Sequence, residues 1–209
     1  MKAIMKSIKP KTCANIMNLI QSILVIKNKR EATAIQKLID KNGFADIYVH
    51  CSKKGGNLLE MDFIEDNIRA KLEKDCDSED LENSCDILNG KVLFKFRCYK
   101  IEEMTLPYTK FGTGEYVGCE EERKWQTSTM DEDEILKLSC LTEVELYGYL
   151  VGKNKGANAI HISKLEIFAE PKELCGFRKY YRSKGYPQNQ SWYLTKAPQS
   201  WCYIEVGDE

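Results

Sequence analysis

The chain has 209 residues, 43% of them apolar, and its 31 basic and 32 acidic side chains leave a formal net charge of -1. That length suits one domain spanning residues 1–209, long enough to bury a real core. The balanced charge excludes a bulk basic field, so any attraction to nucleic acid or membrane needs a local patch.

In chain order, Met1 to Ile8 alternates loosely and ends at Pro10, which predicts a first strand closed by a proline at the start of a helix. Cys13, Ile16, Met17 and Ile20 recur at helical spacing. Ser22 to Lys27 is dense in β-branched residues and reads as a strand. Glu31 to Lys41 carries Ile35, Leu38 and Ile39 on one face and stops at Asn42-Gly43, a helix with a glycine C-cap. Ala45 to Cys51 is a third strand.

Residues 55–89 change character: eleven Asp and Glu between Glu60 and Asp86 outnumber Arg69, Lys71 and Lys74. Phe63 to Leu72 fits an amphipathic helix and the remainder a solvated loop, so this stretch reads as an acidic insertion. Gly90 to Ile101 alternates most cleanly, with Val92, Phe94, Phe96 and Cys98 expected on one face. Leu106 to Met130 is a long Gly- and Thr-rich segment holding Tyr108, Phe111, Tyr116 and Trp125. Thr142-x-x-Glu145 is a capping box for a helix through Val151. Ala159 to Phe168 alternates as a late strand, and Ser200 to Val206 as the last. Strands outnumber helices without regular interleaving, which points to α+β with a mainly antiparallel sheet or barrel.

The longest apolar run, Ile16 to Ile26, is interrupted and falls short of the roughly 20 residues of a membrane span. Residues 1–7 lack a signal-type apolar region, so the expected location is the cytoplasm, with no membrane partner. Nine cysteines in an odd, scattered set without CxxC spacing argue for free buried thiols over disulfides or zinc. Adjacent His50 and Cys51 would point to opposite faces of their strand, and neither metal nor cofactor is expected.

Phosphate-loop, dinucleotide, zinc-protease and serine-elbow signatures are missing. Met1 to Pro10, a short helix and Leu19 to Lys27 nevertheless resemble the opening of ASCH-domain proteins, a variety associated with phages and prophages of Gram-positive bacteria. Ile160 to Phe168, Glu170 to Leu174 and Leu194 to Tyr203 resemble the family's far end, in the same order. The resemblance implies a small, mainly antiparallel PUA-like β-barrel with flanking helices, interrupted by the insertion at 55–89 and closed by a basic-aromatic segment at 176–209. It also implies a cleft suited to RNA or modified nucleosides; some relatives hydrolyse acylated cytidine and others are nucleases.

The family's motif, Gly-x-Lys-Thr-x-(Glu/Thr)-x-Arg, falls on Leu19 to Ile26. Gln21 stands for the lysine, Leu24 for the acid or hydroxyl and Ile26 for the arginine, while Ser22 alone keeps its chemistry. Glutamine cannot act as base or nucleophile, so the reading leans against an enzyme and expects no catalytic residue.

Lys9, Lys11, Lys27, Lys29 and Arg30 bracket the same corner as Ser22 and read either as a basic lip for phosphates or as solvated strand-end residues. His161 lies on the face opposite Ile160 and Ile162, as a hydrogen-bonded structural residue or a cleft residue. Arg178, Lys179, Arg182 and Lys184 interleave with Tyr180, Tyr181, Tyr186, Trp192 and Tyr193, a pattern for nucleic-acid or protein contact. Trp125, Trp192 and Trp201 could stack bases, although Trp201, within the strand Ser200 to Val206, reads as core.

Three functions fit these features. The first is a non-catalytic binder of nucleic acid or a modified nucleotide. The second is a phage-encoded inhibitor of a host defence protein, of the anti-CRISPR type, acting in the host cytosol. The third is a nucleoside or RNA hydrolase built on other residues, such as His161 with a carboxylate.

Overall fold

The computed structural model of the chain describes residues 1–54, 88–106, 124–150, 156–180 and 193–207. The acidic stretch at 55–87, the Gly- and Thr-rich stretch at 107–123, and Arg182, Lys184, Tyr186 and Trp192 lie outside the described residues.

Strand β1 (Lys2–Ile8) leads through extended Lys9 into α1 (Pro10–Met17), where Pro10 occupies the first turn and its missing N–H costs nothing. After β2 (Ile23–Ile26), Asn28 caps α2 (Lys29–Asn42), its Oδ1 accepting from the backbone N–H of Arg30 and Glu31 at 3.1 and 3.2 Å. Gly43 ends α2 in the left-handed region at φ 81°, with its N–H returned to the Ile39 carbonyl. Then come β3 (Ala45–Cys51), β4 (Val92–Cys98) and β5 (Ile101–Met104). Helix α3 (Glu132–Ser139) starts at Asp131, whose side chain accepts from Glu134 N–H at 2.9 Å. Helix α4 (Glu143–Leu150) opens on the reciprocal capping box of Thr142 and Glu145. The chain closes with β6 (Ala157–His161), β7 (Ser163–Lys172), a 3₁₀ turn at Leu174–Gly176, β8 (Arg178–Lys179) and β9 (Trp201–Glu205).

Six strands form one sheet in the order β7-β4-β3-β1-β9-β8, and three form another in the order β2-β6-β5. β1 and β3 are parallel because α1, β2 and α2 intervene between them; the other named pairs are antiparallel. The α+β class stands, but the expected PUA-like barrel does not form. Among the described residues the edge strands β7 and β8 do not pair with each other, nor do β2 and β5. Closure needs every strand edge paired in a consistent stagger; here two open sheets result, and the C-terminal segment adds β9 and the edge strand β8 to the large sheet instead of closing a ring.

One cause lies in Ala159 to Phe168, which splits into two strands. β6 joins the small sheet and β7 the large one, with Lys164 in the left-handed region at φ 46°. Beside it, Lys95 and Arg97 face Glu166 and Ser163, so β7 spends an extra residue in a bulge. A second register shift, between Val49 and His50, moves Val92 away from the face of Phe94, Phe96 and Cys98.

The main core lies between the inner face of the large sheet and helices α1 and α2, around Ile4, Ile16, Ile35, Ile47, Phe94 and Phe96. Complete burial of such side chains contributes about 1.5–3 kcal/mol each. A smaller cluster of Ala3, Met5, Tyr48, Phe168, Phe177 and Ile204 occupies the opposite face. Ile23 and Val25 face a third cluster with Ile135 and Leu146, whereas Leu24 and Ile26 face the main core. Among the described residues, no helix is long and apolar enough to cross a membrane.

Candidate nucleic-acid interface

On α2, Glu31, Ile35 and Leu38 face inward. Lys29, Arg30, Thr33 and Lys37 occupy the adjoining outer stripe, within about a quarter turn of one another at 3.6 residues per turn. Across from that stripe stands β9. Alternation on this strand sends Cys202 and Ile204 to the smaller cluster, and Trp201 and Tyr203 to the side of the main core.

The two rows enclose a groove of about 250 Å³ lined by Lys29, Arg30, Thr33, Ala34, Lys37, Trp201 and Tyr203. Among the described residues, none of the three cationic side chains is in an ion pair. The aromatic rings meet edge to face, with centroids 5.3 Å apart and planes at 85°. Tyr203 also meets Tyr180 at 6.4 Å, and Lys2 Nζ lies 3.4 Å from the Tyr203 ring centroid.

A carboxylate beneath this wall is neutralised. Glu31, 1% exposed, accepts from Lys6 Nζ at 2.5 Å and from Ser200 Oγ at 3.3 Å. Lys6 lies opposite Trp201 in the β1–β9 register, which brings it under α2. Among the described residues the groove lining is cationic and aromatic with no acid in it, a combination suited to phosphates and flat bases. A larger hollow of about 640 Å³ runs along β7, where Glu166, Glu170 and Glu173 lie with Lys172, and Glu166 and Glu173 pair with Lys95 and Lys91.

Of the sequence-predicted residues, Lys29 and Arg30 lie in the groove. The other lysines of the expected lip are spread out: Lys9 is exposed before α1, and Lys11 pairs with Glu145 at 2.9 Å. Lys27 donates to the Tyr149 carbonyl at 3.4 Å and sits 4.7 Å from its ring centroid. Ser22 bonds through its backbone to Leu138 and Ile162, and Gln21 is buried with its amide on the Ile23 carbonyl. Arg178 reaches the Tyr193 hydroxyl at 3.3 Å, and Lys179 faces Ile204 across the strands. The groove also uses Thr33, Lys37, Trp201 and Tyr203, which the sequence reading did not assign to a site. The helical spacing of Lys29, Thr33 and Lys37 was a usable signal; the proximity of β9 to α2 was not.

His161 belongs elsewhere. Its Nε2 lies 2.6 Å from Glu102 Oε2, which Lys100 Nζ also approaches at 3.0 Å, while Ser128 and Thr129 hydroxyls donate to Oε1 at 2.8 Å. Burial pushes the Glu102 carboxyl up, but hydrogen bonds from Thr129, Lys100, Ser128 and His161 outweigh it and hold it at about 2. A carboxylate so saturated is a poor proton acceptor near neutrality; it ties β5, β6 and residues 128–129 together. Among the described residues no group of three His, Cys, Asp or Glu is placed to hold a metal ion, and the six described cysteines form no disulfide.

No family model matches the chain, and no curated protein matches it. Among solved structures it is similar to the N-terminal domain of Staphylothermus marinus McrB, at 10% identity and a TM-score of 0.39, over 82% of this chain and 76% of that one.

Proposed function

We propose that this protein binds nucleic acid, or a modified nucleotide within it, without catalysing a reaction on it, through the groove between α2 and β9. The observation that carries this reading is the set Lys29, Arg30 and Lys37, free of ion pairs among the described residues, facing Trp201 and Tyr203 across a groove of about 250 Å³. Cations position the backbone by charge, and aromatic rings take the flat faces of bases. The net charge of -1 accommodates this, because the field needed is local.

Titration of labelled oligonucleotide at several salt concentrations tests it. With three phosphates neutralised, log K is expected to fall against log salt with a slope of about -2 for a single strand. Lys29→Glu with Lys37→Glu is expected to weaken binding at least about tenfold and flatten that slope. Unchanged affinity and slope in the double variant, with the fold intact, would refute the assignment.

A further inference from the structure

Resting on the binding reading above, the ligand class can be narrowed, and we infer that the groove takes one unpaired, unstacked base of a single strand without telling DNA from RNA. Three features lead there.

First, the aromatic wall offers one platform. Lys2 Nζ covers the Tyr203 ring at 3.4 Å, and the Trp201 and Tyr203 planes stand at 85°, so one flat base cannot lie parallel to both. Trp201 is the ring left for stacking. Bases inside a duplex have both faces occupied by neighbours, so only an unstacked base presents a free face to it.

Second, the groove lacks the side-chain amides and carboxylates that would single out ribose. Recognition of the ribose hydroxyl, both donor and acceptor, draws on side-chain acceptors as well as donors, whereas the arginine and lysines present here can read guanine. No amide or carboxylate lines this groove. The nearby polar groups are engaged: the Thr33 hydroxyl donates to the Lys29 carbonyl at 2.8 Å, and Ser200 Oγ is bonded to Glu31.

Third, the charged stripe is short. From Lys29 to Lys37 along α2 is about 12 Å at 1.5 Å per residue. At roughly 3.4 Å per phosphate along one stacked strand this spans no more than about four nucleotides.

The test compares four ligands on the full chain by fluorescence anisotropy and competition: a mixed-sequence DNA strand, the RNA strand of the same sequence, their blunt DNA duplex, and a mononucleotide. The two strands are expected to bind within about threefold of each other, and the duplex and mononucleotide at least about tenfold more weakly. Trp201→Leu is expected to weaken strand binding about tenfold and leave duplex binding unchanged, whereas Trp201→Phe, which keeps a ring face, stays within about threefold of the parent. Duplex binding as tight as the strand, a large DNA–RNA difference, or a mononucleotide as good as the strand overturns the inference while leaving nucleic-acid binding in place. Absence of binding to all four overturns both. The comparison of ligands needs no variant, so it decides the matter even if Trp201→Leu does not fold.

Discussion

Glu102 illustrates how a buried charge becomes a fastener. Its folded value of about 2 lies below the ordinary 4.5, so the stability it contributes is complete above about pH 4.5 and is lost as pH falls towards about 2. Burial likewise lowers His50, whose Nδ1 lies 3.0 Å from Ser7 Oγ, so acid begins to favour the unfolded chain below the ordinary 6.5. Glu102→Gln is expected to cost about 1–3 kcal/mol near neutrality and to flatten the profile between pH 4.5 and 2 while leaving the His50 limb. Urea titrations across pH measure this; a profile parallel to the parent's contradicts the assignment. In the sequence, His161 was legible as facing away from Ile160 and Ile162, but its partner lies 59 residues earlier, and no local pattern points from one to the other. Trp201 packs on the core as its strand position implies, but the sequence does not show that it also borders a groove. Exposure of that side of its ring depends on where α2 crosses.

Local chemistry made several elements legible. Asn42-Gly43 stops α2 as expected, Ala45 to Cys51 is β3, and the Thr142–Glu145 capping box opens α4. Helix α3 escaped notice, although Asp131 with Glu132, Asp133 and Glu134 in the first turn is an N-terminal signal. The break between β6 and β7 was not readable, because alternation continues through it and the residue between the strands, Ile162, is neither glycine nor proline; nor does a glycine mark the left-handed position just beyond, Lys164. The cap of α2 bears on the proposed groove, since Asn28 fixes the turn at which Lys29 and Arg30 begin the helix. Asn28→Ala is expected to cost about 1 kcal/mol. Asn28→Asp should preserve stability, aspartate being an equally good cap, yet weaken oligonucleotide binding by adding negative charge beside those cations. Thermal melting and binding titration on both variants separate the effects; equal binding by the Asn28→Asp variant and the parent would detach the α2 terminus from recognition.

At the scale of the molecule, the sequence resemblance to ASCH domains led to a closed barrel, and the strand order gives two open sheets instead. Alternation reports which face a residue occupies but not which edge a strand joins, so topology was the least legible layer. The open large sheet separates two hollows. β7, at one edge, borders a carboxylate-lined hollow, and β9, beside the opposite edge, forms one wall of the cationic groove. On the proposed reading, a molecule with net charge -1 collects phosphates through a local cationic field at the groove, while the carboxylates at the other edge lie among Lys91, Lys95 and Lys172. The most direct test of that arrangement is ultraviolet crosslinking of a bound single strand, with the adduct mapped by mass spectrometry. The account predicts adducts on Trp201 or Tyr203, lost when Lys29 and Lys37 are both reversed to glutamate. Adducts confined to other parts of the chain, with Trp201 and Tyr203 unmodified, would contradict it.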